Sequence, residues 1–241
     1  MKNKKVIAIV IFYISLFGVS TFAESPTPNS VILSGRITID MVIMDDLKDF
    51  FKEYKSEYPV PVKTTANFPP WFDYQVQIIK LQINQDIRIG PFIEYASTGS
   101  RLHYKDYSGE IRTDFLVNHI GGGIMLDVAT SHRKKIVPVV YTGISYHKTH
   151  AKMTESIRIY DEEEKQSINL TSTNIIIDQG VGFEMTYKYF IFAPYIGYQI
   201  QIDEKPLHLK GNPKAQFGTE DTDAVGVNWT GLRFGIQVGL R

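Results

Sequence analysis

Trp229-Thr-Gly-Leu-Arg-Phe-Gly-Ile-Gln-Val-Gly-Leu-Arg241 alternates strictly over its length. Leu232, Phe234, Ile236, Val238 and Leu240 are apolar, and between them stand Arg233, Gly235, Gln237 and Gly239. A period of two is that of a β-strand with two unlike faces. A soluble sheet turns the apolar face into a core, whereas a membrane barrel turns it outward to lipid. The choice depends on how many such strands exist, how they are joined and what fills the opposite face.

At the other end Lys2, Lys4 and Lys5 precede an uncharged run from Val6 to Val19, which closes in Ser-Thr-Phe-Ala23 before Glu24. This pattern predicts a secretory signal peptide over 1–23 and a mature domain over 24–241. The alternative, a retained anchor, needs a longer apolar stretch, since about 20 residues cross a bilayer as a helix. There is no cysteine, so packing and backbone pairing must hold the exported chain together. The full chain balances 26 basic against 26 acidic residues; without the three signal lysines 23 remain against 26, a charge of −3. A nucleic-acid partner, which calls for a strongly basic domain, is not expected. No later run is long and apolar enough for a transmembrane helix, so a membrane-embedded mature chain must be a closed barrel.

Eight strands are predicted, at about 31–44, 71–84, 86–98, 110–129, 135–149, 166–187, 189–203 and 226–240. Three links are tight, at Asn84–Asp86, Thr130–Lys134 and Tyr187–Tyr189, and four are long and polar, at 45–70, 99–109, 150–165 and 204–225. Short and long links alternate, as they do where periplasmic turns and external loops lie on opposite sides of an outer membrane.

The faces decide the solvent. Leu33, Ile37, Ile39, Met41 and Ile43 oppose Ser34, Arg36, Thr38 and Asp40; Ile175, Ile177, Val181, Phe183 and Met185 oppose Asn174, Asp178, Gly180, Gly182 and Glu184. Phe190, Phe192, Pro194, Ile196 and Tyr198 likewise oppose Ala193, Tyr195, Gly197, Gln199 and Gln201. Eight strands enclose a tube just wide enough for interlocked side chains. The bulky apolar sets therefore belong outside and the polar and glycine sets inside. Tyr187, Tyr189 and Phe190 at one end, with Tyr146, Tyr198 and Trp229 toward the other, are placed as interfacial girdles. On the second strand the phase changes between Ile78 and Ile79, which a bulge near Ile79 would restore.

These features, closing in GLRFGIQVGL, resemble the small eight-stranded outer-membrane β-barrel proteins of the OmpA/OmpX type, over the whole mature chain. The resemblance implies an all-β, antiparallel, up-and-down transmembrane β-barrel with four long outer loops, in the outer membrane of a Gram-negative cell. Outer-membrane lipid, lipopolysaccharide and the barrel-assembly machinery are the partners it implies, with an unidentified surface ligand as a further one. The chain departs from the group's common carboxy-terminal aromatic, since Arg241 follows Leu240.

Inward charges are expected from Arg36, Asp40, Arg88, Glu94, Asp127, Asp178, Glu184 and Arg233, which must pair because an isolated buried ion is costly. This points to a salt-bridged plug rather than a conduit. No cofactor and no metal site is expected. Some barrels of this size modify lipid A, and Ser145 and His147, with Glu155 to orient a histidine, are the candidates for such an enzyme. Strand neighbours two apart are about 6.5–7 Å from each other, too far for an unaided hydrogen bond. His119 is expected in the interior, and His103, His132 and His208 in solvated loops. A soluble periplasmic ligand-binding barrel is the third reading. Asp45–Tyr58 reads as an amphipathic helix in the first loop, capped by Asp45, with Leu47, Phe50, Phe51 and Tyr54 on one face that is expected to cover the barrel mouth, the alternative being contact with the lipid headgroup layer or a partner. The acidic runs 161–164 and 220–223 are expected to be solvated, with lipopolysaccharide bridging through divalent cations as the alternative.

Overall fold

The computed structural model describes residues 31–83, 86–129, 136–160, 162–203, 205–218 and 224–240. The signal segment, Asn84 and Gln85 of the first tight link, the link Thr130–Lys134 with His132, Asp161, the acidic run 220–223 and Arg241 lie outside the described residues. The chain forms β1 (Val31–Val42), α1 (Asp45–Ser56), β2 (Lys63–Asn67), β3 (Trp71–Gln82), β4 (Ile87–Lys105), β5 (Gly109–Ala129), β6 (Ile136–Ile159), β7 (Glu162–Tyr187), β8 (Phe190–Gln201), β9 (His208–Leu209), β10 (Asn212–Gln216) and β11 (Gly231–Leu240). Antiparallel ladders join β1, β3, β4, β5, β6, β7, β8 and β11 in that order, and β11 returns to β1, closing an eight-stranded ring. Closure leaves the membrane-crossing part of the ring without a free edge, which is what lets strands sit in hydrocarbon.

The ring is a transmembrane barrel by its surface. Ile37, Val76, Ile93, Ile120, Ile124, Ile144, Val181, Phe183, Ile196 and Ile236 point outward and are exposed, while Ser34, Arg36, Asp40, Asp178, Gln199 and Arg233 are buried inside. The register slips on β3 between Gln77 and Leu81 against β4, the backbone irregularity that the phase change near Ile79 predicts. Tyr187, Tyr189 and Phe190 stand exposed around the tight β7–β8 turn, whose Lys188 takes a left-handed φ of 54°. Trp229, by contrast, is not a girdle residue. It shares the inward parity of Gly231 and Arg233 and is 2% exposed.

Two of the expected long loops are strand. β4 runs on to Lys105 and β6 to Ile159, with β7 starting at Glu162, so 99–109 and 150–165 are hairpins that keep their ladders almost to the tip. The period-two signal fails there for a physical reason: beyond the lipid the outward positions become polar while the inward ones become apolar. Leu102, Phe115, Val117, Ala151, Met153 and Leu170 point in, and Arg112, Asp114, Lys152 and Arg158 point out. At 24 and 26 residues, β6 and β7 greatly exceed the roughly 9–11 residues that cross a bilayer.

The helix α1 fills the widened mouth. Leu47, Phe50 and Phe51 are buried against Leu102, Phe115 and Leu207, with Phe51 in edge contact with Phe68 and Phe115 at 5.9 and 5.3 Å. Its helical start differs from the expected cap. Met44, in a left-handed conformation with φ 49°, is the N-cap and offers no side-chain bond; Asp45 and Asp46 form the first turn, where carboxylates suit the helix dipole. Past the end of the helix, Tyr58 Oη donates to Glu155 Oε1 at 2.5 Å, tying the first loop to β6. That bond also takes Glu155 away from any histidine.

Candidate functional site

Inward side chains of the membrane-spanning part stack in layers because each strand contributes every second residue. The central layer gathers around Arg233. Its guanidinium pairs with Asp73, with Asp40 at 3.1 Å, with Glu94 at 3.2 Å and with Asp178 at 3.2 Å. Arg36 approaches Asp178 at 3.6 Å, donates to Gln237 Oε1 at 3.1 Å and lies over the Tyr195 and Tyr141 rings at 4.3 and 4.7 Å. Nearer the short turns, Arg88 pairs with Glu184 at 2.5 Å and approaches Asp127 at 3.9 Å. The residues named from the sequence thus divide into two groups. Arg36, Asp40, Glu94, Asp178 and Arg233 meet in one, and Arg88 and Glu184 in another with Asp127. Asp73 on β3 joins the first group without being among the residues named from the sequence, although its alternation with the outward Phe72 and Tyr74 marks it as inward.

Above the central layer, toward the helix, lies a second group. His119 and His147 are both buried, with ring centroids 4.5 Å apart, and His119 packs on Trp229 at 4.2 Å. Trp229 Nε1 donates to Thr149 Oγ1 at 3.1 Å, which holds the indole over the imidazoles. His119 Nε2 stands 3.4 Å from Glu94 Oε1. Inward parity on β5 and β6 was the available signal for this group, since His119 follows Phe115 and Val117, and His147 follows Ser145, at steps of two.

Ser145 and His147 do meet. The ring nitrogen His147 Nε2 is 2.6 Å from Ser145 Oγ, because the strand twist and the rotamers bring the tips together although the backbones are a full repeat apart. Ser145 Oγ also lies 3.4 Å from Ile176 O, and the imidazole tautomer sets which of Ser145 and His147 donates in the short contact. The pair also faces the closed interior beneath Trp229, away from lipid. His103 sits on the β4 extension rather than in a loop, 3.0 Å from Glu110, and His208 belongs to β9.

The fold is that of the small eight-stranded outer-membrane barrels, by ring order and outward apolar band. Among solved structures, the chain is similar to Neisserial surface protein A (13% identity over 89% of this chain and 99% of that one, TM-score 0.39). It is also similar to Ail, the attachment invasion locus protein of Yersinia pestis (14% identity, 88% and 97% covered, TM-score 0.34). The transport unit of the autotransporter AIDA-I from Escherichia coli matches with 11% identity, 94% of each chain covered and a TM-score of 0.32. No protein-family model and no curated protein matches this chain.

Proposed function

We propose that this chain is an outer-membrane protein of a Gram-negative envelope that acts without catalysis, through the polar structure it raises above the membrane. That structure would engage a surface ligand or brace the lipopolysaccharide layer, after insertion by the barrel-assembly machinery. The observation that carries the reading is the projection of β4 to β7 beyond the apolar band. Their outer wall there carries ion pairs between Arg101, Arg112 and Asp114 and between Arg158 and Glu163. Beneath it the interior is filled by α1 and the Arg233 layer, which favours a display scaffold over a conduit. The lipid-modifying alternative needs a reactive group at the lipid face, and Ser145 points the other way. The soluble-barrel alternative would leave Ile37, Ile93, Ile144 and Ile236 in water.

An epitope inserted at Gly211, in the turn between β9 and β10, should reach antibody on intact cells, and one at Lys188 should not. Labelling of the Lys188 insert with silence at Gly211 would overturn the orientation, and recovery of the chain in the soluble periplasmic fraction would overturn the membrane reading. Unchanged lipid A in a deletion strain is expected; loss of an acyl modification would favour the enzyme.

A further inference from the structure

We propose that Glu94, His119 and His147 bind one divalent transition-metal ion inside the barrel, with Zn2+ as the best-suited occupant. The register builds the site. Glu94 on β4 is opposite Gly121 on β5, and Gly121 is opposite His147 on β6. A Cβ at Gly121 would overlap the His147 imidazole, so the missing side chain lets Glu94 and His147 lean together over the middle strand. His119, two residues from Gly121 on the same inward face, completes a triangle whose ligand atoms all lie within 4.8 Å of one another. The 3.4 Å separation of His119 Nε2 and Glu94 Oε1 matches the edge of a tetrahedron with metal bonds of about 2.1 Å. His147 needs a shift of about an ångström to meet the same centre.

Three further observations point to a cation. His147 Nε2 is held by Ser145 Oγ, and in the tautomer that donates Nε2–H to that hydroxyl Nδ1 keeps its lone pair; Nδ1 has no hydrogen-bond partner, and neither ring nitrogen of His119 has one either. A ligating imidazole whose other nitrogen is fixed by a neighbour is the usual arrangement at metal sites, and Ser145 has that supporting place here. Glu94 is likewise oriented by neighbours: its Oε2 accepts from Gln75 at 3.3 Å, and Arg233 reaches both oxygens, Oε1 at 3.2 Å and Oε2 at 3.5 Å. Finally, among the described residues the central layer sets Arg36 and Arg233 against Asp40, Asp73, Glu94 and Asp178. Two guanidinium groups face four carboxyl groups there, an excess that a divalent ion on neutral imidazoles, or protons on two of the carboxyls, would offset. Two imidazoles with one carboxylate suit late first-row ions, whereas Ca2+ and Mg2+ prefer oxygen. With Trp229 and α1 above, the ion would be taken up during folding and released slowly.

The test is to refold the full chain in detergent with Zn2+, wash with chelator, and measure retained metal per folded chain. One equivalent is expected for the wild type, none for the H119Q/H147Q double variant, and retention weakened about tenfold for S145A, which loses the support and keeps all three ligands. No retained zinc in the folded wild type, or equal retention by the double variant, would overturn the site; the charge excess would then be met by protons. Should the double variant fail to fold, X-ray absorption of the zinc-loaded wild type decides. Imidazole scattering supports the assignment, and oxygen ligands alone defeat it.

Discussion

Arg233 on β11 lies directly opposite Asp40 on β1, with 3.1 Å between Nε and Oδ1, across the seam where the last strand closes on the first. Residues 193 positions apart are therefore joined by a charged pair as well as by the ladder. The same guanidinium reaches Asp73, Glu94 and Asp178, so the seam and the centre of the interior depend on one side chain.

Replacing Arg233 with Met should destabilise the barrel by about 3–5 kcal/mol, because the carboxylates around it lose their shared partner in a site closed to water. The urea midpoint of the detergent-folded protein checks this. An unchanged midpoint would mean that the central layer is neutral without Arg233.

The helix in the mouth should be separable from the membrane barrel. Phe51→Ala removes edge contacts to Phe68 and Phe115 and should cost the α1 packing about 3–5 kcal/mol. Hydrogen exchange should quicken over 45–56 while the β8 and β11 amides stay protected. Equal loss of protection in both would show that helix and barrel unfold together.

Acid should loosen the β4–β5 turn only at very low pH. Asp106, above the membrane, accepts from Ser108 Oγ, Tyr104 Oη, Ser108 N and Gly109 N, and these bonds, the Ser108 hydroxyl first, hold its carboxyl down to about 2. A folded value below the ordinary 3.8 means the stabilisation is complete above that pH and fades as pH falls through about 2. The amide shifts of Ser108 and Gly109 should therefore move with a midpoint near 2. A midpoint at the ordinary carboxylate value would contradict the turn geometry.

Legibility followed the solvent. Where a strand crosses lipid, its two faces differ as sharply as Ile37 and Arg36 do, so the eight crossings and all the central inward charges but Asp73 are named from alternation alone. Beyond the lipid the contrast inverts. Leu102 and Phe115 turn in while Arg112 and Asp114 turn out, so a rule that sends bulky apolar groups outward stops at the membrane edge and misreads two hairpins as loops. Trp229 shows the same limit: aromatic character suggested an interface, whereas its parity with Arg233 placed it inside. The Glu94, His119 and His147 group needed the register, because only the alignment of Glu94, Gly121 and His147 reveals that a glycine stands between two ligands.

The central claim is that the apolar face meets lipid, and the strand that closes the barrel tests it best. Ile236 is 44% exposed and Gln237 is 3% exposed, on adjacent residues of β11. A lysine at Ile236 should cost about 2–4 kcal/mol near the middle of the bilayer. A soluble barrel would also resist that substitution, so the direct measurement is a fluorescent probe attached in turn at 236 and at 237, in vesicles carrying a lipid-soluble quencher. Strong quenching at 236 with weak quenching at 237 is the predicted result. Equal quenching at both positions, or none at either, would contradict it.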